Sequence, residues 1–178
     1  SHREWSPFLD QLTPQHRVYR WDARGHGGHR LTRDTVPTVQ RMAQDLRNLI
    51  DHYNLHALVA VGHSMGALTL WQYIQEHGCN RLGKVCFLDQ SPKLLTDADW
   101  LNGIYGDFDR ERSAAFLSHL ENDFAESVLL LGAMGLNDRA REKYQEGSRG
   151  LEKARQWLKE QEPAPLIACW ESLTEADY

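Results

Sequence analysis

Leu58-Val59-Ala60-Val61-Gly62-His63-Ser64-Met65-Gly66, continuing through Ala67-Leu68-Thr69-Leu70 to His77, decides how this chain folds. Leu58–Val61 is a continuous apolar run, the pattern of a strand buried on both faces. The residues from Met65 to His77 are mostly helix formers and end at Gly78, so a helix is expected there. Between the two lies a G-x-S-x-G pentapeptide, which a 178-residue chain with 13 glycines would contain by chance about 0.05 times. Placed where a strand hands over to a helix, it predicts a sharp, crowded turn. Glycines at 62 and 66 let backbone pass close to backbone, and the Ser64 hydroxyl is pushed out at the C-terminal edge of the sheet. The first amide of the helix, Met65 N–H, lacks an intrahelical acceptor and can donate to an oxyanion forming beside Ser64. The plainer alternative is a serine that only caps the helix.

The flanking sequence extends the alternation. A short helical stretch from about Arg3 to Leu12 precedes a predicted strand from His16 to Ala23. Thr38 caps an amphipathic helix that runs to Tyr53, with Val39, Met42, Ala43, Leu46, Leu49 and Ile50 on one stripe. Lys84–Leu88 reads as another strand buried on both faces. Strand, helix, strand, helix and strand joined by short links specify an α/β fold with a mostly parallel sheet and flanking helices. After Pro92 no strand is expected. Phe116, Leu117, Leu120, Phe124, Val128 and Leu131 trace one apolar helical face, and Leu151, Ala154, Trp157 and Leu158 trace a second. Pro163 and Pro165 break the chain before a last helix around Ile167–Leu173. The charges from Asp138 to Glu162 alternate in sign, the mark of a solvated face. Two segments result: a core at 1–92 and a helical cap at 93–178.

Composition narrows the function. Of the 178 residues, 41% are hydrophobic and 25% charged, enough apolar content for one core. Twenty Lys and Arg against 25 Asp and Glu leave a net charge of −5, so nucleic acid and anionic membrane surfaces are not expected partners. No apolar run approaches the roughly 18 residues of a membrane span. Cys79, Cys86 and Cys169 cannot all pair and show no CxxC spacing, which is the usage of a reducing, cytoplasmic protein. The sequence opens on Ser1-His2 and closes on Glu175-Ala176-Asp177-Tyr178 without a finished element, and a piece of a longer protein is the expectation.

In these residues the chain resembles the α/β-hydrolase family. Trp21-Asp22-Ala23-Arg24-Gly25-His26-Gly27 is similar to the D-x-R-G-x-G turn after that family's fourth strand. Ser1-His2-Arg3-Glu4-Trp5, with Phe8 and Leu9, resembles the tail of its oxyanion loop and the helix that follows. Phe87-Leu88-Asp89-Gln90-Ser91-Pro92 resembles the end of its sixth strand, where a helical cap departs. The resemblance implies a partial α/β-hydrolase fold over about residues 1–92, with Ser64 as nucleophile and Met65 N–H as one oxyanion donor. It also implies a second oxyanion amide before Ser1, and an acid and a histidine on later strands absent here.

Within the chain the substitutes are few. His77 lies about 20 Å from Ser64 along the helix at 1.5 Å per residue and reads as a surface or C-terminal residue. His119 shares the polar side of a cap helix with Ala115, Asn122 and Glu126. His63 adjoins Ser64, but its side chain should point away from it and serve in packing. Asp89, at the end of the strand beside the elbow strand, is either the triad acid or a loop or helix cap. Gly25-His26-Gly27-Gly28 is not a dinucleotide loop, because Arg30 stands where the third glycine belongs. Asp22, His26 and His29 read as a solvated loop with an Arg24 ion pair rather than a metal site, and no cofactor or metal is expected. Trp100, Tyr105, Phe108, Phe116, Phe124 and Trp157 supply core packing, and some of them an apolar substrate wall.

The expected function is a serine hydrolase of the α/β-hydrolase type acting through Ser64 on a small carboxylic ester or related acyl bond of a small-molecule substrate. The alternatives are a non-catalytic ligand-binding module on the same fold, or a C–C hydrolase or cofactor-free haloperoxidase-like enzyme.

Overall fold

The computed structural model describes residues 1–29, 31, 35–135 and 137–178; Arg30 lies outside them. A 3-10 segment, His2–Phe8, runs into a single helical turn, α1 (Leu9–Leu12). The next stretch departs from expectation, because His16–Ala23 is irregular chain and not a strand. A strand is defined by its ladder, and no described segment pairs with this one. Side chains attach it instead: the Tyr19 and Tyr53 rings meet at 4.9 Å, and Arg20 donates at 2.8 Å to the carbonyl of His2 and to Ser6 Oγ.

The central units form where the spacing places them. Helix α2 (Val39–His52) starts at Thr38, whose Oγ1 accepts from Arg41 N–H. Strand β1 (Leu58–His63) is followed at once by α3 (Met65–His77) and then by β2 (Leu82–Leu88). The strands pair in parallel, in a register running from Leu58 opposite Leu82 to His63 opposite Leu88. One face is packed: Leu58, Ala60, Val85 and Phe87 lie against Ala43, Leu46, Ile50, Leu70 and Tyr73 of α2 and α3. The Trp71 and Phe87 rings stack at 4.1 Å, pinning α3 to β2. The other face is open. Val59 is 63% and Val61 46% exposed, with Cys86 and Leu88 beside them. Burial on both faces is therefore not observed, because an apolar run is covered twice only where two layers exist. Among the described residues α2 and α3 supply one.

The second half is helical, with a different division from that expected. The apolar face from Phe116 to Leu131 belongs to two helices, α4 (Arg110–Asn122) and α5 (Phe124–Ala133). Asp123 breaks it, because its carboxylate accepts from Glu126 N–H and its own φ of −146° and ψ of 85° are not helical. Helices α6 (Asp138–Glu146) and α7 (Arg149–Lys159) are separated by Gly147 in the left-handed region. Not every charge here is solvated. Glu126 of α5 accepts from Tyr144 Oη at 2.5 Å and from Arg155 Nε at 2.9 Å, tying three helices together. Pro163 and Pro165 do not delay the last helix but open it. Helix α8 runs from Pro163–Thr174, with both prolines in the first turn, where a missing N–H costs nothing.

Helix α8 returns to the core. Cys169 and Leu173 share one cluster with Val39, Met42, Leu68 and Leu94, and Ser172 Oγ accepts from Val39 N–H at 3.0 Å. Lys93, bonded at 2.8 Å to both Asp97 and Asp177, fastens the C-terminal residues to the chain leaving β2.

Candidate active site

The bend between β1 and α3 has the geometry that the pentapeptide predicts. Ser64 has φ 51° and ψ −121°, a conformation that non-glycine residues adopt at a cost of about 1–3 kcal/mol. It is exposed, and its side chain makes no capping bond to α3, so the plain N-cap role is not the one observed. Gly62 explains why the turn can be so tight. A Cβ there would lie 2.4 Å from the Gly66 carbonyl oxygen and 2.7 Å from Ala67 N. The crowding is one-sided, because a Cβ on Gly66 would meet nothing within 4 Å.

Backbone bonds fix the serine from both sides. Ser64 N–H donates to Leu88 O of β2 at 3.1 Å, and Ser64 O accepts from Ala67 N–H at 2.8 Å. Met65 is the first residue of α3, so its N–H has no acceptor within the helix and faces the same end of the sheet. The half-buried Met65 side chain packs into the Val39–Leu68–Cys169 cluster, with its sulfur 3.8 Å from Cys169 Sγ.

Asp89 follows Leu88, the register partner of His63, so it stands beside Ser64 at the C-terminal edge of the two strands. It too has a positive φ, 48°, and is exposed. It caps no helix, since the next helical residue is Ile104. Tyr105 is the third strained residue at this end, with φ 58°. Its hydroxyl donates to Leu131 O at 2.6 Å, and burial, reinforced by the charge of Asp89, pushes its phenol up. Nothing in the sequence around Tyr105 announces that conformation.

The histidines lie elsewhere. His77 sits at the far end of α3, against the Tyr73 ring and 3.6 Å from Glu76. His119 is exposed on α4 and lines a cavity of about 350 Å³ with Asn122, Glu126 and Leu130. A second cavity, about 450 Å³, lies on α7 around Trp157, and Ser64 lines neither. His63 is exposed next to Ser64, so the packing expected of it is not observed. Among the described residues no imidazole hydrogen-bonds to Ser64.

The D-x-R-G-x-G segment forms a tight, cross-linked loop. Arg24 grips Asp45 of α2 with two bonds, at 2.5 and 2.7 Å, an ion pair made outside the loop. Asp22 accepts from His2 N–H at 2.7 Å and pairs with His2 Nδ1 at 2.9 Å. The His2 amide bond is the chief reason that its carboxyl is held below the usual range. The same carboxylate fills the space over Gly27, where a Cβ would lie 2.2 Å from it. His26 Nδ1 contacts Arg24 O, and burial pushes its ring pKa down. Asp22 and His26 are therefore half-buried and bonded, Asp22 to His2 outside the loop and His26 to Arg24 within it, and the solvated loop expected here is not observed. No metal-binding group is found among the described residues. Of the aromatic residues, Phe108, Phe116 and Trp170 form an edge-packed cluster, whereas Tyr105 and Trp157 are about half exposed. No described helix is long and apolar enough to cross a membrane.

Comparison with known proteins agrees with the fold. A family model described as alpha/beta hydrolase fold matches residues 1–150. The chain is 31% identical over 100 residues to 3-oxoadipate enol-lactonase 1 of Acinetobacter baylyi, covering 56% of this chain and 36% of that protein. It is 30% identical over 102 residues to a non-heme haloperoxidase of Rhodococcus erythropolis, covering 54% and 35%. The match thus spans about a third of the length of these curated relatives. A bromoperoxidase structure from Bacillus anthracis superposes with a TM-score of 0.80 at 23% identity, over 99% of this chain and 63% of that one. An esterase structure from Exiguobacterium antarcticum gives 0.75 at 16%, over 99% and 62%. At such identities the structural likeness shows the fold alone.

Proposed function

The chain belongs to the α/β-hydrolase fold family, and from that premise we propose that it carries the nucleophile of a serine hydrolase acting on a small carboxylic ester or related acyl bond. The observation that carries the proposal is Ser64, exposed and strained at φ 51° at the C-terminal end of β1, directly before the free first amide of α3. In this reading Ser64 Oγ attacks the acyl carbon and loses its proton to a base. Met65 N–H donates to the carbonyl oxygen as it becomes an oxyanion. Collapse of the tetrahedral species expels the alcohol, which takes the proton, and water then releases the acyl group by the reverse sequence.

The acid of this machinery is Asp89, supported by its place beside Ser64 and by its serving no helix as a cap. The base in this reading is a histidine outside these 178 residues, a reading supported by the fact that no imidazole among the described residues is bonded to the serine. Residues 1–92 act as the catalytic core and 93–178 as the cap over a small-molecule acyl substrate. Three free thiols support a cytoplasmic setting. The match to an enol-lactonase supports the acyl reading, because a lactone is a cyclic ester. The haloperoxidase match favours a cofactor-free haloperoxidase-like enzyme as the second reading.

A fluorophosphonate probe applied to the full-length protein tests the proposal. Labelling that disappears in Ser64→Ala is the expected result. A protein that is never labelled is instead a ligand-binding module on this fold. The 178 residues alone should hydrolyse a p-nitrophenyl ester slowly or not at all. Ser64-dependent turnover at an ordinary rate would place the base within the chain, with His119 the first candidate.

A further inference from the structure

The residue that offers the oxyanion amide is held from a distance of 104 positions in sequence. Met65 is fixed at two of its three attachment points. Its carbonyl accepts from Thr69 Oγ1 at 2.9 Å, and its sulfur lies 3.8 Å from the sulfur of Cys169 on α8. Cys169 is only 3% exposed, and burial raises its thiol pKa to about 12, so it stays a neutral packing group at physiological pH. Helix α8 is itself anchored, through Ser172 to the first amide of α2 and through Leu173 in the shared core. What remains free on Met65 is its N–H.

We infer that Cys169 is a positioning residue. Its contact with the Met65 side chain fixes the first turn of α3, aims the Met65 amide at the position of the oxyanion, and couples α8 of the cap to the catalytic edge of the sheet. This rests on the proposed role of Met65. The thioether is flexible and fills gaps readily, so without its neighbour it has several rotamers to explore. The first turn of a helix, which lacks half of its hydrogen bonds, is the part that such loosening reaches first.

The test compares Cys169→Ala with Leu173→Ala, a larger deletion one turn further along the same helix and in the same cluster. In the 178-residue chain, the Met65 N–H order parameter from ¹⁵N relaxation should fall from about 0.85 toward 0.6 in Cys169→Ala and stay near its starting value in Leu173→Ala. In the full-length protein, the limiting rate of Ser64 labelling by the fluorophosphonate should drop roughly three- to tenfold in Cys169→Ala, with the half-saturating probe concentration unchanged. Leu173→Ala should lower the urea midpoint more and the labelling rate less. Met65→Ala, which removes the anchored side chain and keeps the amide, should loosen the same N–H and serves if Cys169→Ala does not fold. An unchanged Met65 order parameter in both Cys169→Ala and Met65→Ala overturns the inference, as does a loss in Leu173→Ala as large as in Cys169→Ala. A wild-type protein that takes no label refutes the nucleophile and leaves the order-parameter comparison standing.

Discussion

Adding one methyl group at residue 62 and one at residue 66 should have opposite effects on the same turn. In Gly62→Ala the new Cβ would lie 2.4 Å from Gly66 O, 2.5 Å from Gly66 C and 2.7 Å from Ala67 N. All three are backbone atoms of the first turn of α3, so no side chain can rotate away to make room. Forcing extra volume into a packed site costs typically 1–3 kcal/mol, and with rigid backbone as the obstacle the upper figure, about 3 kcal/mol, is expected. In Gly66→Ala the Cβ meets nothing within 4 Å, and replacing glycine by alanine within a helix gains about 0.5–1 kcal/mol. In a chain of this size each kcal/mol moves the melting temperature by roughly 2–4 °C. Gly62→Ala should therefore melt about 6–12 °C below the wild type and Gly66→Ala about 1–4 °C above it. Thermal unfolding followed by far-ultraviolet circular dichroism, with urea midpoints from tryptophan fluorescence, measures both. Equal losses from the two substitutions, or a Gly62→Ala variant as stable as the wild type, would refute the one-sided crowding of this turn.

Ser64→Gly releases the positive-φ strain of about 1–3 kcal/mol against a glycine entropy cost of about 0.5–1 kcal/mol; it should raise the melting temperature while abolishing labelling, and a lower melting temperature would contradict the strained bend. Thiol counting with iodoacetamide near about pH 8 should modify the exposed Cys79 and Cys86 in the native protein and add Cys169 only in denaturant, because burial both hides that thiol and raises its pKa to about 12. Asp22 has its folded pKa below the ordinary 3.8, so its contribution to stability is fully present above pH 3.8 and is lost as pH falls through the folded value. Asp22→Asn should accordingly cost about 1 kcal/mol at neutral pH, measured by urea unfolding, and that difference should vanish in strong acid.

Sequence alone locates α2, α3 and the elbow because the signals are local: a capping Thr38, a stopping Gly78, and two glycines flanking one serine. The same local reading misassigns His16–Ala23, whose residues suit a strand but which has no neighbour to pair with among the described residues. It also expects a second layer over Val59 and Val61 that the described residues do not supply. The Asp123 break was present in the sequence as an aspartate inside an apolar face, a residue that competes with the helix by bonding an amide ahead of it. Around the bend, the placement of Ser64 and Met65 between β1 and α3, and of Asp89 at the end of β2, is legible from the local sequence. The Tyr105 conformation, the His2–Asp22 pair and the Met65–Cys169 contact are not, because each depends on tertiary placement, and the last spans 104 positions.

The most direct test of Ser64 as the nucleophile is peptide mapping by mass spectrometry after fluorophosphonate treatment of the full-length protein. A single adduct on the peptide containing residues 62–66, sited on Ser64 and absent after denaturation before treatment, is the result expected. An adduct on any other residue, or stoichiometric labelling that survives Ser64→Ala, would contradict it.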